Sequence, residues 1–196
     1  KNILLIEAFF LITMDEYIDI VTETGEPTGN VALKSEAHKN GWFHNTIHLW
    51  LYTKNGAILL QQRSHKKAIF PLLWDVSAAG HIDTGESFEN AAIRETHEEL
   101  GLLLEPKHLT KIGINKHLSS YANNTIQDNE FHHVYLAELK VDIDKLTPQE
   151  EEVEALKLVT LKEFKRLLQN SANNNHFVES NKAYYEFVLD NIIKLI

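Results

Sequence analysis

The segment from Gly80 to Leu102, GHIDTGESFENAAIRETHEELGL, constrains the fold of this chain more than any other. Gly80 and Gly85 allow a tight turn or a close approach of the backbone to a ligand. Ser87 is a favourable residue at a helix start, and Gly101 allows the left-handed backbone with which many helices end. The segment therefore predicts a loop that leads directly into a helix.

The predicted helix carries a cluster of carboxylates. Glu95, Glu98 and Glu99 are spaced so that, at ~100° per residue, they share one helix face. Like charges at this spacing disfavour a helix, and a divalent cation removes that cost. Carboxylates, water and substrate phosphate together suit Mg²⁺ or Mn²⁺. We expect these glutamates to bind metal and to serve catalysis, although a solvated acidic face would explain each one taken singly.

The spacing of fixed residues in this segment resembles the Nudix box, with Thr96 as a departure where the family prefers an aliphatic residue. The resemblance implies a hydrolase that cleaves diphosphate linkages, built as an α/β/α sandwich. It implies metal-binding and catalytic roles for Glu95, Glu98 and Glu99. It also implies a supporting role for four residues of the loop and helix, namely Gly80, Glu86, Arg94 and Gly101. We expect Arg94 to brace Glu86 or a box carboxylate.

Composition limits the alternatives. With 196 residues and 43% hydrophobic content, the chain can bury a sizeable core, and we expect one domain at 14–196. Residues 1–13 form an apolar stretch too short to span a bilayer, which we interpret as a leader or a remnant of expression. The net charge of −9 argues against binding a nucleic-acid polymer. The absence of cysteine excludes disulfides and fits a cytoplasmic protein, either a monomer or a homodimer.

Hydrophobic periodicity predicts an α/β protein with a mixed sheet. Ile47, Leu49 and Leu51 alternate with less apolar residues as in a half-buried strand, and Asn55-Gly56 forms a hairpin turn into the next strand. The predicted strands are Tyr17 to Val21, a short piece after Gly29, Ile47 to Tyr52, Ala57 to Gln62, Leu109 to His117, His132 to Leu139 and Leu156 to Val159. The predicted helices outside the box are Leu161 to Gln169, capped by Thr160, and Lys182 to Ile196.

Four further segments resemble the isopentenyl-diphosphate isomerase branch of the same superfamily, namely DIVTETGEPTG, HKNGWFH, QQRSHKKAIFPLLWD and AGH. The resemblance implies a second metal site with imidazole and carboxylate ligands, His38, His44, His81, Asp128 and Glu130. Such a ligand set suits a transition metal. Arg63 and Lys67 occupy the positions that hold the diphosphate in that branch. The chain has 11 histidines, so surface or hydrogen-bonded roles are the alternative, and a solvated basic loop is the alternative for Arg63 and Lys67.

Ala79 stands where the isomerases have a catalytic cysteine, and the chain contains no cysteine. Alkene isomerisation requires proton transfer at carbon, so this loss favours hydrolysis. Three interpretations stay open: a diphosphate hydrolase, which we favour, an isomerase, and a non-catalytic nucleotide or diphosphate binder. We expect the organic part of a small-molecule diphosphate substrate to be selected by loops outside the box, at His117 to Phe131 and at Gln169 to Phe177.

Overall fold

The computed structural model describes residues 15–67, 69–121, 123, 125–169 and 182–196. The predicted leader at 1–13 lies outside these residues. Of the predicted loop from Gln169 to Phe177, only Gln169 lies within them. The predicted extent of the domain, 14–196, therefore stays a prediction.

A mixed sheet of nine strands organises the described residues. The strands are β1 (Tyr17–Val21), β2 (Pro27–Leu33), β3 (His44–Tyr52), β4 (Ala57–Arg63), β5 (Trp74–Asp75), β6 (Ala78–His81), β7 (Thr110–Tyr121), β8 (Ile126–Glu138) and β9 (Val153–Thr160). The helices are α1 (Lys34–Asn40), α2 (Phe88–Leu100), α3 (Leu161–Gln169) and α4 (Lys182–Ile193), with short 3₁₀ turns at Pro106–His108 and Ile143–Lys145.

Strand β3 is the centre of the sheet. Its full length, His44 to Tyr52, pairs in parallel with Glu130 to Glu138 of β8. Its other edge is shared by three antiparallel neighbours, which are β1, then β6, then β4 along the strand. Because successive side chains of a strand point to opposite faces, β3 contributes to two different cores.

A separate core lies on each face of the sheet. Trp50 packs with Phe164 of α3 and Tyr185 of α4 on one face. Ile47 packs with Ala92 and Leu100 of α2, with other apolar residues, on the opposite face. Helices on both faces of a mixed sheet confirm the predicted α/β/α sandwich.

The box helix begins and ends as the sequence predicts. Ser87 Oγ accepts a hydrogen bond from the Asn90 backbone N–H at 3.2 Å, and Gly101 has the left-handed φ of 67°. Thr96 fits a helix interior because it is buried and its hydroxyl donates to the Ala92 carbonyl at 2.6 Å. The departure from an aliphatic residue therefore leaves no unpaired hydroxyl in the core.

The other predicted elements are present, with longer strands after the box. The predicted hairpin turn is confirmed by Gly56, which has a φ of 78°. Helix α3 follows Thr160, whose hydroxyl accepts from the Glu163 backbone N–H at 3.1 Å. Helix α1 and the strands β5 and β6 were not predicted. Helix α1 is shorter than two helical turns and both strands are shorter than about five residues, so none shows a recognisable hydrophobic period.

One prediction about loops is wrong. Most of His117 to Phe131 is not a loop but the outer part of a hairpin, in which Tyr121 pairs with Ile126 and His117 with Glu130. Polar residues of a strand that faces a cavity give the same sequence signal as a loop, because both lack a continuous apolar face. Among the described residues, none of the helices has the length and apolar character needed to cross a bilayer.

Candidate functional site

A cavity of about 850 Å³ gathers most of the predicted site residues. Its lining contains the three box glutamates, both predicted basic residues and most of the predicted second metal site. The predicted residues that line it are Arg63, Lys67, Gly80, His38, His81, Glu95, Glu98, Glu99, Asp128 and Glu130. His44 is fully buried behind this surface, whereas Glu86, Arg94 and Gly101 lie outside the lining.

The box carboxylates have unequal environments. Glu99 is 5% exposed, and its Oε2 accepts hydrogen bonds from Ala79 N and Gln61 Nε2, each at 3.2 Å. Burial raises the pKa of Glu99 to about 8 and that of Glu95 to about 7. The Glu98 side chain is 51% exposed. Burial favours the neutral form of Glu95 and Glu99, and a bound cation would favour their ionised form instead.

Arg94 holds the box together. Its guanidinium grips Glu86 through two hydrogen bonds, Nε to Oε1 at 3.1 Å and Nη2 to Oε2 at 2.9 Å. Nη1 donates to Glu95 at 2.8 Å and to Glu98 at 3.2 Å. Nη2 also donates to the carbonyl of His81 at 2.9 Å. The expected bracing by Arg94 is therefore present, and it reaches strand β6 as well as the box helix.

Gly80 is a glycine because the Glu95 carboxylate lies against its α-carbon. A β-carbon built at Gly80 would be 2.0 Å from Glu95 Cδ and 2.1 Å from Oε1. Any larger residue would push Glu95 away from the cavity. The glycine thus determines where helix α2 places the Glu95 carboxylate.

The predicted imidazole ligands meet as one group, which we call the histidine cluster: His38, His44, His81 and Glu130. One ligand atom from each lies within 4.8 Å of the others. The Nε2 atoms of the three histidines are 3.6, 3.4 and 3.7 Å from Glu130 Oε1. These residues come from α1, β3, β6 and β8, so the cluster exists only when four elements pack together.

The chemistry of the histidine cluster fits a metal ion. His44 Nε2 and His81 Nε2 are buried without a hydrogen-bond partner among the described residues, which is costly for polar atoms. The other nitrogen, Nδ1, of His38 lies 2.8 Å from the Lys34 carbonyl, and that of His44 lies 3.0 Å from the Trp42 carbonyl. Such contacts orient a ring so that Nε2 faces a metal. Three imidazoles and one carboxylate suit a transition metal.

Charge within the cluster also favours a cation. Burial and the nearby cation Lys34 hold the pKa of His81 well below its usual range. Burial lowers the pKa of His38, but hydrogen bonds to Asp128 and Glu130 outweigh it and raise that pKa to about 10. A metal would replace the proton on His38. Asp128 Oδ1 lies 3.2 Å from His38 Nε2 but is not one of the four converging residues, so its role as a ligand stays a prediction.

The basic segment before the box divides into two parts. Arg63 lines the cavity and donates from Nε and Nη2 to the Ile69 carbonyl at 3.1 and 3.0 Å. Lys67 also lines it and forms an ion pair with Glu152. Lys66 instead pairs with Glu151 at 2.7 Å outside the cavity. The two residues predicted to bind diphosphate are thus the two that face the cavity.

The sequence reasoning missed several cavity residues. His48 and His132 line the cavity beside the histidine cluster, and Tyr184 contacts His48 from α4. A usable signal was present: His48 follows His44 by four residues and His132 follows Glu130 by two. Even spacing on a strand places side chains on the same face.

The comparisons with known proteins agree with this fold. The chain matches the NUDIX domain over residues 42–180. It is 36% identical over 159 residues to an uncharacterised Nudix hydrolase of Clostridium acetobutylicum, covering 80% of this chain and 75% of that protein. It is 33% identical over 123 residues to an isopentenyl-diphosphate Delta-isomerase of Nocardia farcinica, covering 62% of this chain and 68% of that protein.

The fold is also similar to that of a crystal structure from Deinococcus radiodurans, with a TM-score of 0.64 and 19% identity over 87% of this chain and 98% of the other. The fold and the family match define the class of this protein as a Nudix domain with an α/β/α sandwich. The chain belongs to the Nudix hydrolase family.

Proposed function

We propose that this enzyme hydrolyses the diphosphate linkage of a small organic diphosphate, such as a nucleoside diphosphate derivative, with Mg²⁺ or Mn²⁺. The observation that supports this best is the meeting of an intact carboxylate face with two cations in one cavity. Carboxylates alone could be a solvated helix face, but Glu99 is buried and Arg63 and Lys67 face the same space.

The box glutamates would hold one or more divalent ions. A divalent ion held there would supply positive charge that neutralises the diphosphate and makes the attacking water more acidic. Glu98 or Glu99 accepts the proton of the attacking water. Arg63 and Lys67 bind the far phosphate, and Lys67 exchanges its ion pair with Glu152 for this contact. Arg94 keeps the glutamates in place rather than touching the substrate.

We further propose that the histidine cluster holds a transition metal, with Asp128 beside it. The unpaired Nε2 atoms of His44 and His81 support this assignment. The net charge of −9 supports a small substrate in place of a nucleic-acid polymer. Localisation in the cytoplasm stays a proposal that rests on the absence of cysteine.

An isomerase is the second candidate, because the histidine cluster is present and some relatives carry that name. Ala79 argues against it. Its backbone N–H donates to Glu99, and its methyl group can transfer no proton. The Ala79→Cys variant tests the idea: traces of isomerase activity that require the histidine cluster would show that only the thiol is missing. A non-catalytic binder, the third candidate, would not need the full carboxylate set.

The deciding experiment is a phosphate-release screen with Mg²⁺ and with Mn²⁺. The panel contains nucleoside diphosphates and triphosphates, dinucleotides, nucleotide sugars and prenyl diphosphates. Glu99→Gln serves as the blank, and Glu89→Gln, on the same helix but bonded to Tyr135, serves as the control. We expect metal-dependent release that disappears only in Glu99→Gln. If no compound of the panel releases phosphate but some of them raise the temperature of thermal unfolding, the result would instead support a non-catalytic binding protein.

A further inference from the structure

A buried serine, Ser64, shapes the backbone that leads to Lys67. Ser64 directly follows strand β4, is fully buried, and does not line the cavity. Its carbonyl accepts a hydrogen bond from the Lys67 backbone N–H at 3.1 Å, and its Oγ accepts one from the Lys66 backbone N–H at 3.3 Å. Ser64 therefore closes the turn of backbone that carries Lys67 into the cavity.

The same serine joins this turn to a second one, which we call the acidic turn, at 149–152. The Ser64 backbone N–H donates to the Glu152 carbonyl at 2.9 Å, and its Oγ donates to the Glu150 carbonyl at 3.1 Å. The N–H, the hydroxyl and the carbonyl of Ser64 are thus all used within or between the two turns. Because a buried polar group without a partner is costly, these bonds hold the two turns in one relative position.

The acidic turn is attached to the box helix. Carbonyls in the last turn of a helix have no partner within the helix itself. The Gln149 backbone N–H donates to the Glu99 carbonyl at 3.0 Å, and the Thr147 backbone N–H donates to the Leu100 carbonyl at 2.8 Å. A continuous path of hydrogen bonds therefore runs from the basic segment to the helix that carries the box glutamates.

The ion pairs beside Ser64 contribute less to this path. Lys66 contacts Glu151 at 2.7 Å and His65 contacts Glu154 at 2.6 Å, but these four side chains are 38–61% exposed. Exposed pairs add little, because solvent screens them and ordering two long side chains costs entropy. The buried hydrogen bonds of Ser64 are therefore the main link between the two turns.

The separation of Lys67 from the box glutamates matters for a diphosphate. Lys67 and Glu99 both line the cavity, so one ligand can reach both regions. The lysine ammonium is a point charge on a flexible four-carbon stem, so its position depends on where the backbone holds the stem. A misplacement of about 1 Å in such a site can cost on the order of a hundredfold in rate.

Building on the function proposed above, we propose that Ser64 is a positioning residue for the diphosphate. Through the acidic turn, it holds the backbone of Lys67 at a fixed distance from the box helix. Ser64 lies outside the cavity lining and does not itself touch the substrate. Its loss should therefore weaken diphosphate binding only through Lys67.

A double-mutant cycle tests this route. The probe is methylenediphosphonate, whose P–C–P bridge cannot be hydrolysed, and calorimetry in Mg²⁺ gives its dissociation constant. We expect Ser64→Ala to weaken binding about tenfold and Lys67→Gln to weaken it at least as much. When Lys67 is already replaced by Gln, Ser64→Ala should have a further effect below about twofold, because no cation is left to position.

Ser77→Ala is the matched control for stability. Ser77 is also fully buried, and its Oγ donates to the Leu59 carbonyl at 2.7 Å and accepts from the Leu51 backbone N–H at 2.8 Å. Ser77→Ala should lower the denaturation midpoint about as much as Ser64→Ala but leave the affinity for methylenediphosphonate unchanged. Ser64→Cys keeps a weaker S–H donor, so it should give an intermediate loss of affinity, and it replaces Ser64→Ala if that variant does not fold.

These measurements separate the positioning role from the proposed hydrolysis. A loss in Ser64→Ala that disappears without Lys67 supports the role. An equal loss with and without Lys67, or a loss no larger than that in Ser77→Ala, would overturn it. Unchanged affinity in Lys67→Gln would overturn both the positioning role and the binding of diphosphate by Lys67. Absence of hydrolysis with the expected binding pattern would support the positioning role and count only against the hydrolase.

Discussion

The carboxylates of the box and the histidine cluster occupy one cavity but are built in opposite ways. Glu95, Glu98 and Glu99 lie within five consecutive residues of helix α2, so local spacing alone brings them together. The cluster needs α1, β3, β6 and β8 to meet, and its most distant members, His38 and Glu130, are 92 residues apart in the sequence (130 − 38).

The two regions also differ in how far their side chains are exposed to solvent. The Glu98 side chain is half exposed and can change partners as substrate and water enter and leave. The His44 side chain is fully buried, and its Nδ1 contacts the Trp42 carbonyl. On the box helix, Glu98 thus remains open to exchange, whereas the members of the histidine cluster are held in advance by four packed elements. We therefore expect the box to serve turnover and the cluster to hold its ion permanently.

The strongest test of this contrast is Glu98→Gln. Loss of the carboxylate should lower turnover on the order of a hundredfold, because charge stabilisation in the transition state is lost. Metal bound to the histidine cluster should be unaffected. Phosphate release and elemental analysis measure the two effects. A near-normal rate would contradict the assignment of the box.

The converse variant is His44→Gln. It removes one buried ligand, so affinity for Mn²⁺ or Zn²⁺ at the cluster should fall by about a hundredfold, while Mg²⁺-dependent hydrolysis by the box changes less. Calorimetry with each metal measures the change. His65→Gln is the control, since His65 is exposed and pairs with Glu154. If the protein retains its transition metal after His44→Gln, the ligands lie elsewhere.

The Arg94→Lys variant should impair the box and the histidine cluster together. The Arg94 guanidinium donates hydrogen bonds to the carboxylates of Glu86, Glu95 and Glu98. It also donates to the backbone carbonyl of His81, a member of the histidine cluster. A lysine ammonium lacks the planar set of donors needed to form all of these bonds. We expect a loss of about 2 kcal/mol in unfolding free energy and weaker binding of both metals. Denaturant unfolding measures the first effect. Arg166→Lys, at an exposed arginine, is the control and should change neither.

Gly80→Ala should affect the box more than the overall stability. The added methyl group would meet the Glu95 carboxylate, so Glu95 must move. We expect turnover to fall about tenfold. Gly113→Ala introduces a methyl group near Phe187, outside the cavity lining, and should leave the rate unchanged. Equal rates in Gly80→Ala and wild type would show that the position of Glu95 is not critical.

The smallest effect is expected from Ser87→Ala. Losing the cap of α2 should cost about 1 kcal/mol of stability, as should losing the cap of α3 in Thr160→Ala. Both should leave metal affinity at the cluster unchanged, because neither cap contacts it. Thermal unfolding with and without Mn²⁺ checks this. A selective loss of Mn²⁺ binding in Ser87→Ala would mean that the two regions are coupled through the start of the helix.

Part of the site could be predicted because its interactions are local. The start of α2 at Ser87, its end at Gly101 and the shared face of the carboxylates all depend on residues a few positions apart. The bracing role of Arg94 toward Glu98 follows from the same helical spacing. The imidazole ligands could be named only through the resemblance to the isomerase branch, since nothing in their local spacing brings His38 near His81.

The sequence by itself determined the family, the box helix and the order of most strands, because hydrophobic periodicity and helix capping act over a few residues. Only the tertiary structure decided that Lys67 but not Lys66 faces the cavity, that His117 lies on a long hairpin, and that His48 stacks on His132. These outcomes depend on the register between β3 and β8 and on the packing of α4. Register and packing arise from contacts between residues far apart in the chain, which no local pattern encodes.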